Sequence, residues 1–311
     1  MLSVHLEKGI VQVRNQPLPR VASGFARIRM LAAGICSTDL ELQRGYYGFS
    51  GTPGHEFVGE LADGTRVAGE INLACGRCGW CARGLGRHCP HRTVLGIVKH
   101  PGAFREYLTL PVKNLHRIPK SIPTEHAVFI EPVAAACEIL DQIKIAKGTQ
   151  VAVLGDGKLG LLIAQVLQAH GAQVLLLGRH REKMRLVEWS GVTAEVLAEK
   201  VPVRAFPIIV DATGSAKGLR AAIAMCEPRG TVVMKSTVHG LVAMDTAPAI
   251  VNEITLVGSR CGRFEPALRL LASGKVRVGD LISEEFPLDR APEAFELAAT
   301  KGVLKVLLRA P

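Results

Sequence analysis

Gly155-Asp156-Gly157-Lys158-Leu159-Gly160 is the most informative stretch of this chain. A short apolar run, Val151–Leu154, precedes it, and a helical pattern from Leu159 to Ala169 follows. Three glycines between a strand and a helix each have a separate use. The first permits a tight turn, the second lets backbone approach a pyrophosphate, and the third lets helix and strand pack closely. The helix N-terminus adds partial positive charge for a bound anion. Gly155, Gly157, Lys158, Leu159 and Gly160 are therefore the expected contacts of a dinucleotide.

Beyond this loop the pattern repeats. Val174–Leu177, Pro207–Asp211, Thr231–Met234 and Ile254–Val257 are short apolar runs separated by helical lengths. Such alternation predicts a doubly wound parallel sheet, a Rossmann-type α/β domain. The second strand ends in Gly178-Arg179-His180-Arg181. An NAD-selective site usually carries Asp or Glu about 20 residues past the glycines, on the ribose 2′-hydroxyl. Here Gly178 leaves room and Arg179, with His180 beside it, can fork onto a 2′-phosphate. NADP(H) is expected over NAD(H). The alternative is that Arg179, Arg181, Lys183 and Arg185 only form a solvated helix face.

The chain has 311 residues, 48% of them hydrophobic and 21% charged, which excludes a disordered or collagen-like protein. No apolar run reaches the roughly 18 residues of a spanning helix. The first residues, MLSVHLEKGIVQVRNQ, lack the apolar centre of a signal peptide, so a cytoplasmic location is expected. In a reducing compartment cysteines are metal ligands more often than disulfides. With 38 Lys and Arg against 28 Asp and Glu, the net charge is +10. That admits nucleic acid, an anionic lipid surface or a small anionic ligand. A basic zinc-binding nucleic-acid module is the non-enzyme alternative. However, no helix-turn-helix, finger spacing or stacked-aromatic pattern accompanies the charge.

Up to about residue 120 the chain is Gly-rich and reads as irregular β structure, holding five of the eight cysteines. Cys75, Cys78, Cys81 and Cys89 form a C-x2-C-x2-C-x7-C array. Four thiolates this close in sequence suit a closed tetrahedral zinc site. An iron–sulfur cluster is the competitor, but the last gap is longer than in ferredoxins. A metal saturated by four thiolates has no open position, so chemistry belongs elsewhere. Cys36-Ser-Thr38-Asp39 and Gly54-His55-Glu56 lie upstream. Cys36 and His55 are N/S ligands that zinc prefers, and Glu56 or the later Glu131 could complete a three-ligand, catalytic set.

Taken together these motifs resemble the zinc-dependent medium-chain alcohol dehydrogenase family, over essentially the whole chain. GICSTD resembles its first ligand motif, PGHE its second, CGRCGWCARGLGRHC its structural lobe and LGDGKLG its cofactor loop. Ile130-Glu131-Pro132 is similar to the third-ligand segment of the polyol, sugar and threonine branches, where glutamate replaces cysteine. The resemblance implies a GroES-like catalytic domain of residues 1–132 and 264–311, with the Rossmann domain, 133–263, inserted. It implies two zinc ions per chain, Thr38 receiving the substrate hydroxyl proton, and Asp39 orienting His55. It also implies Lys305 against the cofactor pyrophosphate, and a homodimer or homotetramer joined near Ile254–Val257. The expected activity is hydride transfer between NADP(H) and an alcohol or polyol; an aldose dehydrogenase is the alternative.

Three departures stand out. Glu41 occupies a position where many relatives have histidine, so a proton path through a carboxylate is expected. Only 18 residues separate Glu56 from Cys75, so the loops of the catalytic part are compact. Cys137 and Cys261 read as small core residues. Tyr46, Tyr47 and Phe49 follow the first ligand motif and are expected to line the substrate cleft.

Overall fold

The computed structural model describes residues 1–199, 201–236 and 243–311. The chain divides into two compact units, residues 1–131 with 278–311, and residues 132–277.

The first unit is built on Phe25–Gly34, a long strand whose inner positions Ile28, Met30, Ala32 and Ala33 are fully buried. It pairs antiparallel with Glu56–Glu60, Tyr107–Pro111 and Lys305–Arg309. A register shift between Met30 and Ala32 turns the end of the strand and buries its last three residues on both faces. The sheet continues outward to Arg66–Gly69 and Leu115–Arg117 on one side and to Ile282–Pro287 on the other. The late strands thus return to the first region, as the sequence suggests.

The second unit holds a six-stranded, wholly parallel sheet. Its order is Thr193–Val196, Gln173–Gly178, Gln150–Leu154, Phe206–Asp211, Cys226–Met234, Thr255–Gly258. Val151 to Leu154 are each 0% exposed, as a central strand covered on both faces demands. The helix Lys158–His170 follows and stops at Gly171, whose φ of 104° gives the left-handed C-terminal turn. The edge strand Thr193–Val196 escapes a sequence reading because only Ala194 in it is buried.

The unit boundary also differs from the expectation. The helix Phe264–Ala272, expected with the terminal segments, belongs to the second unit. Three contacts hold its region there. Arg263 pairs with Asp141 at 3.0 Å, and a Cβ at Gly262 would come within 1.9 Å of the Ala134 carbonyl oxygen. The buried Gln165 amide accepts from the Arg277 N–H at 2.8 Å and donates to its carbonyl at 3.1 Å. An amphipathic repeat says that a helix has a buried face, not what covers it. Among the described residues no helix is long and apolar enough to cross a membrane.

Candidate active site

Cys36 caps the helix Ser37–Gln43, and Asp39 sits at that helix's third position. The Asp39 carboxylate is 0% exposed and joins two segments. One oxygen accepts from the Cys36 N–H at 2.8 Å, the other from the Gly54 N–H at 3.1 Å. His55 Nδ1 lies 3.5 Å from the second oxygen, a charge contact longer than a good hydrogen bond. Burial pushes the His55 imidazole down, but Asp39 and Cys36 outweigh it and raise the group well above its usual range.

The loop before His55 is squeezed into place by glycines. A Cβ at Gly102 would stand 2.1 Å from the Pro53 carbonyl oxygen, and one at Gly96 2.3 Å from that of Gly54. Gly54 itself has φ 99°, with the Phe104 ring against its Cα. Gly96→Ala or Gly102→Ala is therefore expected to displace His55 and unfold the loop, read as lost thermal stability and protease resistance.

Cys36, His55 and Glu56 each offer a ligand atom, all within 4.8 Å of one another. Sulfur, nitrogen and carboxylate oxygen converging in a buried pocket are a donor set that fits zinc. Glu131, in the first turn of Ile130–Gln142, is not part of this group. Thr38 Oγ1 lies 3.9 Å from the Cys36 sulfur. Glu41 pairs with Arg44 at 2.5 Å on the exposed side of the helix, so the expected carboxylate relay has a surface partner. The Tyr46 and Tyr47 rings lie against each other, tilted by 39°, with centroids 4.0 Å apart. Tyr47 and Phe49 line a 620 Å³ hollow with Thr52, Lys99 and His100, and none of Cys36, His55 and Glu56 lines it.

Lys305 has an unexpected place. It is 1% exposed, and its ammonium forms an ion pair with the equally buried Glu56 rather than awaiting a pyrophosphate. Burial alone would push its pKa down, but Glu56, then Cys36 and Asp39, hold it above the usual lysine range. Gly34 supplies the space: a Cβ there would lie 2.9 Å from Glu56 Oε2 and 3.1 Å from Lys305 Cδ.

The four cysteines of the lobe come together as the spacing predicts. Sulfur–sulfur separations are 3.5 Å for Cys78–Cys81 and Cys75–Cys89, 3.7 Å for Cys78–Cys89 and 3.9 Å for Cys75–Cys81. A zinc tetrahedron with bonds of about 2.3 Å has edges of about 3.8 Å, whereas a disulfide needs about 2.05 Å. The cage fits one ion and leaves no room for an iron–sulfur cluster. The Arg77 N–H, chiefly, draws the Cys75 thiol down to about 6. Arg77, Arg83, Arg87 and Arg92 lie in the same segment.

In the second unit a 730 Å³ cleft opens at the glycine loop, lined by Gly155, Asp156, Gly157, Gly178, Arg179 and His180. The glycines have the geometry that the turn and the close packing require. Gly155 has φ 113°, a Cβ at Gly160 would lie 1.9 Å from the Gly155 carbonyl, and Gly157 faces open space. Lys158 and Leu159 begin the helix behind them. Lys217 and Arg220, which no motif marks, add positive charge to the lining, and Glu199 a negative one. The room expected at Gly178 is taken. Asp156 fills it, so that a Cβ at 178 would stand 2.5 Å from the Asp156 Cβ.

With this geometry, two family comparisons agree. Residues 22–120 match the alcohol dehydrogenase GroES-like domain, and residues 159–273 the zinc-binding dehydrogenase domain. A zinc-binding dehydrogenase from Sinorhizobium meliloti 1021, solved bound to NADP, is 30% identical with a TM-score of 0.90, over 99% of this chain and 98% of that one. The chain belongs to the zinc-dependent medium-chain dehydrogenase family. It is an alcohol-dehydrogenase-like oxidoreductase with a GroES-like and a Rossmann domain. Sorbitol dehydrogenase of Halalkalibacterium halodurans is 27% identical over 96% of both chains. An alcohol dehydrogenase of Escherichia coli CFT073, solved with NADH, is 25% identical over 99% of both, with a TM-score of 0.90.

Proposed function

We propose that the dehydrogenase oxidises an alcohol or polyol, or reduces the carbonyl partner, with one catalytic and one structural zinc and with NADP(H). The convergence of Cys36, His55 and Glu56 in one buried pocket carries the reading. These three would hold the catalytic ion, which when bound supplies Lewis-acid stabilisation of an alkoxide. Thr38 takes the proton of the substrate hydroxyl at Oγ1. Asp39 fixes His55 and the Cys36 turn together, so both ligands keep their aim. Lys305 pairs with Glu56 and supplies its counter-charge inside the buried pocket. Glu131 and Glu41 stay outside this scheme.

For the cofactor, Arg179 at the cleft rim and the NADP-bound Sinorhizobium relative support NADP(H). Arg179→Ala is expected to weaken NADPH about tenfold and leave NADH nearly unchanged, the size of one lost charge-assisted contact. Fluorescence titration of both nucleotides checks it; equal losses would leave Arg179 without a role at the 2′-phosphate. The structural lobe is testable separately. Cys78→Ser should lose one zinc and lower the unfolding temperature, read by metal analysis and calorimetry.

Pairing of two copies through the edge strand Thr255–Gly258 is supported by Ile250 and Val251, which are 72% and 75% exposed on the preceding helix. Light scattering decides it. The substrate is tested by a turnover screen over primary alcohols, polyols and aldoses with NADP. An aldose as the best substrate would favour the sugar-dehydrogenase alternative; no turnover in the whole set would sink the proposal.

A further inference from the structure

Given the reading of the second unit's cleft as a nicotinamide-dinucleotide site, on which this rests, we infer that Asp156 sets its cofactor selectivity. The carboxylate occupies, from within the glycine loop, the nest of donors in which a 2′-phosphate would sit.

Three donors converge on one oxygen of Asp156. Oδ2 accepts from the Arg179 N–H at 2.7 Å, the His180 N–H at 2.5 Å and His180 Nδ1 at 2.9 Å. Successive main-chain N–H groups and an imidazole N–H aimed at one point form an anion-binding concavity. They lie at the end of Gln173–Gly178, beside the position where an NAD-selective site carries its acid. The nest is made by the chain around its own anion.

The second observation is steric. The Asp156 side chain lies where a side chain at 178 would begin, with its Cβ, Cγ and Oδ2 at 2.5, 2.8 and 2.8 Å from a Cβ built there. Gly178 is thus required by Asp156, and its presence does not by itself leave room for a phosphate. Partial burial disfavours the Asp156 charge, but the N–H groups of His180 and Arg179 outweigh it and keep the carboxyl below its usual range. The side chain is 12% exposed and lines the cleft, so its charge reaches whatever lies there.

Two consequences follow for the cofactor. A 2′-phosphate approaching Arg179 meets a fixed carboxylate and finds the neighbouring N–H groups already engaged. A ribose 2′-hydroxyl meets no such opposition, and the second Asp156 oxygen can accept its proton. Asp156 therefore lowers the preference for NADPH that Arg179 raises. The two residues act in opposite directions on one selectivity ratio. The arrangement also predicts that a conventional exchange fails here: Gly178→Asp, which introduces an acid at the strand end, would collide with Asp156 and weaken both cofactors.

The test compares wild type, Asp156→Asn and Asp156→Ala by titration with NADPH and NADH, following nucleotide fluorescence. Adenosine 2′,5′-bisphosphate and adenosine 5′-monophosphate, titrated by calorimetry, give the same ratio without any hydride chemistry. Both variants are expected to raise the affinity ratio of 2′-phosphorylated to unphosphorylated ligand at least tenfold. Asp156→Asn keeps an oxygen for the Arg179 and His180 N–H groups, so it decides alone if Asp156→Ala does not fold. An unchanged ratio, or one shifted toward NADH, overturns the role of Asp156 while leaving the dinucleotide site intact. A wild type that binds none of the four ligands overturns the reading of the cleft and this assignment with it.

Discussion

Cys36→Ala is expected to remove one of two zinc ions and to lower kcat/KM by at least ~10³-fold, while the fold persists. The size follows from what one thiolate does. A buried ion held by three protein donors loses a charged ligand, and the remaining His55 and Glu56 cannot retain it. The lobe formed by Cys75, Cys78, Cys81 and Cys89 is a separate cage and should keep its own metal. Metal analysis after exhaustive dialysis, alongside steady-state turnover, checks both halves. Loss of both ions would show that the two sites are not independent. Unchanged turnover would remove Cys36, and with it the whole cluster, from the chemistry.

Lys305→Met is expected to destabilise the first unit by about 3–5 kcal/mol, because it strands a buried carboxylate. Lys305 and Glu56 are each 1% exposed, so neither charge has water to fall back on. Lys305→Met with Glu56→Gln should recover much of that loss, since both charges then leave together. Urea unfolding of the single and double variants gives the numbers. A single-variant loss below about 1 kcal/mol, the range of exposed pairs, would mean that water reaches Glu56 after all. The same variant also tests the ligand set. If the ion pair with Lys305 keeps Glu56 aimed, zinc affinity should fall with stability, and Lys305→Arg should not rescue a pocket that Gly34 barely opens.

Much of this site can be read from sequence because its parts are local. Cys36 to Asp39 lie in one helical turn, His55 and Glu56 are neighbours, and the four-cysteine lobe spans a single loop system. The parallel sheet is equally legible, since central strands buried on both faces are continuous apolar runs. What stays hidden depends on distance along the chain. Which of Glu56 and Glu131 lies with Cys36 and His55 depends on tertiary placement, not on residue type. The ion pair of Lys305 with Glu56 joins residues 249 apart, and no local pattern encodes it. Asp156 is visible as an acid between two glycines, but its meaning comes from a strand end more than twenty residues later. The helix at 264–272 reads from sequence as part of the first unit, because its period reveals a face and not a neighbour.

The strand Lys305–Arg309 has a consequence in time as well as in space. It lies beside Phe25–Gly34 in the sheet, with Leu307 opposite Gly34. Residues 132–277 form one continuous stretch, so during synthesis they are complete before that strand exists. The Rossmann unit can therefore mature first, while the N-terminal strands wait with an edge unpaired and Glu56 without its counter-charge. The pocket of Cys36, His55 and Glu56 then gains its counter-charge only once Lys305 has been made. A nascent chain that has passed residue 117 but not residue 305 leaves the end of Phe25–Gly34 as an open sheet edge beside Glu56, a state that needs protection from aggregation.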